Sequence, residues 1–268
     1  MKLQIVPARQ GVLWVQRGFG VFFRRPLAFA ALFVSFMFFG LVALLVPYVG
    51  PVVMLASLPL VSLAFMLATQ RTLQGEFPGP GVFIAPLRVN RERSLALFKL
   101  GLAYATASLA IIVLSDAIDG GKFEALQDAL AAGNEEAPAI AARLSDAQLQ
   151  IGLLVRFGLA TLLSLPFWHA PALVHWGAQS VGKSLFFSTM ACWRNLGAFS
   201  VYALAWGGVT LVFGLLANLL AALLPDGQLI ALAAVPAALL FSTVFYASLY
   251  FTFSDCFANE AASTVETV

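Results

Sequence analysis

The chain is 268 residues long, 61% hydrophobic and only 10% charged, with 24 phenylalanines. A soluble globule of that composition would expose far too much apolar surface, so the solvent is lipid. The formal net charge of +2 gives no sign of a nucleic-acid partner, because the basic residues are accounted for by membrane topology and anionic head groups.

In chain order, residues 9–25 form the first element. Val12, Val15, Phe19, Phe22 and Phe23 share one helical face, and Gln10, Arg17, Arg24 and Arg25 share the other. That pattern predicts an interfacial amphipathic helix with cations at the phosphates. Residues 26–70 then run without one charged side chain. At about 1.5 Å per residue the stretch is roughly 67 Å long, enough to cross a hydrocarbon core of about 30 Å twice. Pro47-Tyr48-Val49-Gly50-Pro51 cannot continue a helix, which divides the run into spans at about 27–46 and 52–69. The first run is longer than a signal-peptide core and has no small-residue cleavage site, so it is expected to stay in the mature protein.

Gly75-Glu76-Phe77-Pro78-Gly79-Pro80-Gly81 is too broken for a helix and leads through a basic stretch into a third span at about 95–114. Residues 119–150 carry Asp119, Glu124, Asp128, Glu135, Glu136 and Asp146 against Lys122 and Arg143. Short apolar stripes there predict a periplasmic helical hairpin, acidic enough to meet a membrane-protein partner, and Ser145 with Gln148 reads as a capping box. Further spans are expected at about 157–174, 196–224 and 229–253, the last two joined by Pro225-Asp226-Gly227. A second interfacial helix precedes the fifth span, with Val181, Leu185 and Cys192 opposite Gln179, Lys183 and Arg194.

Six spans put both termini on one side. Lys2, Arg9, Arg17, Arg24, Arg25, Arg71, Arg88, Arg91, Arg93, Lys99, Lys183 and Arg194 share that side, and only Lys122, Arg143 and Arg156 lie opposite. Cations in short loops stay in the cytoplasm, so both termini are expected there, in the inner membrane of a bacterium. Cys192 and Cys256 then face a reducing compartment and read as free thiols.

Phe23-Arg24-Arg25-Pro26-Leu27-Ala28-Phe29 and Trp193-Arg194-Asn195-Leu196-Gly197-Ala198-Phe199 suggest a parallel internal repeat. Any span entered from a cationic side carries such words, so both readings stand.

Gly177-Ala178-Gln179-Ser180-Val181-Gly182-Lys183-Ser184 satisfies the phosphate-loop pattern in full. A working loop follows a buried strand in an α/β domain that also supplies a magnesium carboxylate, and this one follows a span, so the match is read as fortuitous. A narrower reading gives Arg24, Arg25, Lys183 and Arg194 the role of interface cations that meet lipid phosphates. His169 and His175 face different directions with no ligand partner at metal spacing, so no metal and no cofactor is expected. No Gly-x-Ser-x-Gly word occurs, and no carboxylate lies mid-membrane, which disfavours hydrolysis by an activated serine and proton-coupled transport. Pro59, Pro166 and Pro236 interrupt helices two, four and six, and with Asn218 they are the candidate lining of a central cavity.

Arg24-Arg25-Pro26, Pro47-Tyr48-Val49-Gly50, Leu73-Gln74-Gly75-Glu76-Phe77-Pro78, Leu100-Gly101, residues 167–174 and residues 188–195 together resemble a betaproteobacterial family of six-span integral membrane proteins. That family is loosely grouped with the membrane domain of glycerophosphodiester phosphodiesterases. The resemblance covers nearly the whole chain and implies an α-helical bundle in the inner membrane, with no catalytic residue to carry over. His169 stands where another aromatic is expected. The reading that follows is an all-α, non-enzymatic helical bundle acting by association with lipid or another membrane protein. The alternative is a transporter or channel for a small or amphiphilic solute.

Overall fold

The computed structural model describes residues 2–132, 137–223 and 227–258. Six of the described helices are long and apolar enough to cross a membrane, and the protein is an all-α multi-pass membrane protein. The elements are β1 (Lys2–Leu3), α1 (Gln10–Arg24), α2 (Pro26–Leu44), α3 (Val49–Leu73), two 3₁₀ turns (Pro80–Phe83 and Ala85–Arg88), α4 (Arg91–Asp119), α5 (Lys122–Ala132), α6 (Ala137–Leu144), α7 (Ala147–Phe167), α8 (Ala170–His175), α9 (Val181–Arg194), α10 (Leu196–Leu223), α11 (Gly227–Cys256) and β2 (Phe257–Ala258). β1 and β2 pair antiparallel and bring the described ends of the chain to one face, called here the terminal face.

The core is built around α3. Leu63 to Ala68 are buried on every side of the helix, as expected of a helix that is apolar all round. α2, α4 and α11 surround it. Two glycines permit close crossings of α4: a Cβ on Gly101 would lie 2.3 Å from the Ala56 carbonyl oxygen of α3, and one on Gly152 of α7 would lie 2.5 Å from Asp119 Cβ. Small residues let helix backbones approach where lipid supplies no hydrophobic drive between them. Tyr48, at φ 62°, makes the turn between α2 and α3 inside the predicted break, but α3 already starts at Val49, because Pro51 falls in its first turn, where no N–H is needed.

The two segments expected at the interface are helical and amphipathic, and their buried faces meet protein. Gly11, Trp14, Val15, Gly18, Val21 and Phe22 of α1 are buried against α10 and α11, leaving Val12 and Phe23 exposed on its flanks. A Cβ on Gly11 would strike the Ala198 oxygen at 2.3 Å, and one on Gly18 would come within 2.8 Å of Ser248 Cβ. Among the described residues α1 packs against both α10 and α11, and these two also meet directly through Trp206 and Phe241, whose ring centroids are 4.8 Å apart. α9 buries Ser184, Ser188, Ala191 and Cys192 toward α7 and α8, with Phe186 and Trp193 outward.

The opposite face is tied by charges. Arg156 pairs with Asp116, donates to Ser115 Oγ at 2.8 Å and lies 4.2 Å from the Phe123 ring centroid. Lys122 grips both oxygens of Asp146, at 2.8 and 2.7 Å. Asp146, not Ser145, caps α7, accepting from Gln148 N and Leu149 N; Ser145 instead donates to Ala141 O within α6. A carboxylate within reach of helix N–H groups is the better acceptor, so it displaces the predicted serine cap. The Lys122 hydrogen bond, with the cap bonds, holds the Asp146 carboxyl below its usual 3.8. Glu135 and Glu136 of this acidic segment, and residues 225 and 226 of the last predicted turn, lie outside the described residues.

Gly101→Ala should cost about 1–3 kcal/mol, the range for overpacking, and lower the midpoint of thermal unfolding in detergent. Gly20→Ala, with nothing within 4 Å of its Cβ, should leave that midpoint unchanged or slightly raised.

Candidate functional site

Three features concentrate polar chemistry. The first is the break between α7 and α8. Pro171 has no N–H, and Pro166 crowds the turn before it, so the helix cannot continue through Trp168 and His169. The pair left open is His169 N–H and Leu165 C=O, which a continuous helix would join. Ser188 Oγ of α9 sits between them, accepting from His169 N at 2.9 Å and donating to Leu165 O at 2.8 Å. One hydroxyl thus replaces one lost helix bond in a region without water. Cys192, one turn on, points at the same carbonyl, and burial pushes its thiol up to about 12, too high for a reactive thiolate.

His169 is fully buried beside this break. Its ring lies 5.4–5.9 Å from Phe199, Phe253 and Phe257, and Nε2 is 3.2 Å from Thr252 Oγ1, which also accepts from Trp168 Nε1 at 3.2 Å. Nδ1 has no partner. An imidazole at the aromatic position thus fills the same slot and adds one hydrogen bond. Among the described residues no three His, Cys, Asp or Glu side chains gather to hold a metal.

The second feature is a cleft of about 140 Å³ beside Pro59, lined also by Ser62, Tyr104, Ser164, Trp168 and Tyr246. The third is a cavity of about 550 Å³ on the terminal face, between the start of α4 and the loop into α9. Asn90, Glu92, Arg93 and Lys99 form one wall, and Ala178 to Gly182 form the other.

The predicted residues fall unevenly on this map. Pro59 lines the cleft. Pro166 lies one residue from the end of α7, because the chain breaks at Trp168 and His169 inside the predicted span, so the proline sits at a helix end instead of a helix middle. Asn218 is exposed and donates to Gly214 O of its own helix at 2.8 Å. The side chain of Pro236 lies outside those described. Arg24 and Arg25 are exposed at the α1–α2 junction, Lys183 is exposed in the first turn of α9, and Arg194 is exposed in its last. The phosphate-loop match spans a helix–loop–helix junction, with Ala178 at φ 49° and α8 where the pattern needs a strand.

Sequence reasoning missed three residues that organise the terminal face. Asp255 accepts from Gln10, from Trp14 Nε1 at 2.9 Å and from Arg17 at 3.1 Å. Asn195 accepts from Val6 N at 2.8 Å and donates to Gln4 O at 3.0 Å, fastening the N-terminal strand. Ser188 is the third. Its signal was the small stripe Ser184, Ser188, Ala191, Cys192 at helical spacing, which marks a face packed on another helix.

Across 96% of its length the chain is 32% identical to the probable inner membrane protein BTH_II0599 of Burkholderia thailandensis, and the match covers 94% of that protein. No family model matches the chain, and no solved structure matches it.

Ser188→Ala leaves His169 N–H buried and unpaired and leaves Leu165 C=O with only the weak Cys192 thiol donor, which should cost about 1–3 kcal/mol in thermal unfolding. Ser184→Ala removes only a bond back to Ser180 O and should stay within about 0.5 kcal/mol of the parent.

Proposed function

We propose, for a chain that belongs to the family of this Burkholderia inner membrane protein, that it is a non-enzymatic accessory or scaffold protein working by association with lipid or another membrane protein. One observation carries the reading. Half of the apolar stretch of α3 is buried within the chain, against 6% for the α7–α8 span and 11% for α10. The bundle thus has a dense centre and two flanking helices held on one side only, α7 by α4 and α9, and α10 chiefly by α1. Such helices offer long apolar faces to a neighbour in the bilayer. With both termini in the cytoplasm, as the loop cations favour, the exposed Arg24, Arg25, Lys183 and Arg194 would meet anionic head groups and the acidic α5–α6 hairpin would face the periplasm. We keep within this proposal the grouping with glycerophosphodiester phosphodiesterase membrane domains that the resemblance implies.

The Pro59 cleft favours a second reading, transport of a small or amphiphilic solute. At about 140 Å³ it has room for one molecule of roughly benzene size, and Asn218 is not among its lining residues, so this reading ranks behind the first.

Gentle-detergent purification of a tagged chain at native level, with mass spectrometry of what accompanies it, tests the proposal. Association predicts a stoichiometric protein partner or an enriched lipid class. A chain that emerges alone with bulk lipid, or with a small solute instead, would count against it.

A further inference from the structure

We propose that the terminal-face cavity between α4 and α9 is a binding site for a phosphate-bearing anion. The inference rests on the association reading and gives it a ligand class and an address.

The cavity, about 550 Å³, is of a size that holds small ligands, and its two walls supply different parts of an anion site. α4 contributes the cations Arg93 and Lys99. Neither is ion-paired among the described residues. Arg93 Nε is moreover buried with no acceptor. A guanidinium donor taken out of water without a partner is costly, and an anion in the cavity would repay that cost.

α9 contributes backbone. Its N-cap, Ser180, is extended and makes no side-chain cap bond, so the first N–H groups of this 14-residue helix have no side-chain acceptor. The N-terminus of α4 differs, since Asn90 Oδ1 already accepts from Arg93 N at 2.8 Å. Gly182, in the first turn of α9 and on the cavity wall, is exposed and has no side chain to cover that turn. The helix end adds roughly half a positive charge. Glu92 on the same wall opposes one of the two cations, leaving a net attraction for an anion. Lys183, exposed and next in sequence to Gly182, adds a further cation on that turn.

Planar guanidinium, ammonium and free N–H groups around one space are the donor set that phosphate oxygens use. A phospholipid head group and a soluble phosphate compound share that chemistry. The site needs no strand and no magnesium carboxylate, so it makes sense of the Gly177-to-Ser184 word without nucleotide hydrolysis.

The full chain in phosphatidylcholine nanodiscs would be titrated with inorganic pyrophosphate by calorimetry. In parallel, nanodiscs mixed from phosphatidylcholine and phosphatidylglycerol would be read by native mass spectrometry for retained phosphatidylglycerol. Arg93→Gln and Lys99→Gln should each weaken binding about tenfold in the arm where the parent binds, and Arg9→Gln, an exposed cation elsewhere on the face, should not. Loss confined to the lipid arm assigns a head group, and loss in the pyrophosphate arm assigns a soluble compound. Unchanged thermal unfolding of either variant shows that the fold survived. Anion binding equal in the parent, Arg93→Gln and Lys99→Gln, or absent from both arms, would overturn the site. A partner or lipid class that still accompanies Arg93→Gln on native purification would then leave the association reading standing alone.

Discussion

The carboxylate of Asp255, at the end of the last span, holds the first helix in the bundle. Gln10, Trp14 and Arg17 follow one another at about one-turn steps along one face of α1 and all donate to it. Trp14 is fully buried, so its indole N–H must find an acceptor inside the protein, and Asp255 is that acceptor. With α1 in place, Phe19 stacks on Trp206 at 6.0 Å and Trp14 meets Phe199 and Tyr202 at 5.3 and 5.9 Å. α1 thereby packs across the α10–α11 pair, which stays joined through Tyr202 and Ser248, and most of the described length of α10 faces outward.

The same rule, that polar groups within a membrane bundle are paired by protein, shapes the rest. Ser188 bridges the break before α8, Thr69 donates to Ala247 O at 3.2 Å between α3 and α11, and Tyr202 pairs with Ser248 at 2.6 Å. Each bond lies between helices or across a helix break. His169 Nδ1, Trp206 Nε1 and Asp119 Oδ2 are buried without a partner, as Arg93 Nε is, and of these only Arg93 lines a cavity of about 550 Å³ together with a second cation, Lys99.

The spans were legible because their signal is coarse: long uncharged runs and Pro/Gly breaks need no tertiary knowledge. Pairings across the chain were not. The apolar face of α1 predicts burial but cannot say whether acyl chains or helices cover it, and the two glycines at positions 11 and 18 were the overlooked sign that backbone comes close. Asp255 was unremarkable as one acid beyond a span, since its partners lie about 240 residues earlier. The start of α7 was legible to within one residue, since the cap read at Ser145 falls to Asp146 next to it, and only the apolar span inside the helix was set as late as 157, because Gln148, Gln150 and Arg156 lower the hydropathy of its first turns. The terminal-face cavity joins residues 90–99 to 178–182, a juxtaposition that hydropathy and short words do not encode.

α1 packs inside the bundle against both α10 and α11, so its placement decides which helix faces stay open to the bilayer. Gly18 is close enough to Ser248 that paired cysteines there need a shift of only about 1 Å to reach disulfide spacing. In native membranes, with Cys192 and Cys256 replaced by alanine, Gly18→Cys with Ser248→Cys should crosslink quickly under mild oxidation, and Phe23→Cys with Ser248→Cys should not. Equal crosslinking of the two pairs, or none at 18–248, would place α1 on the bilayer surface and contradict the account.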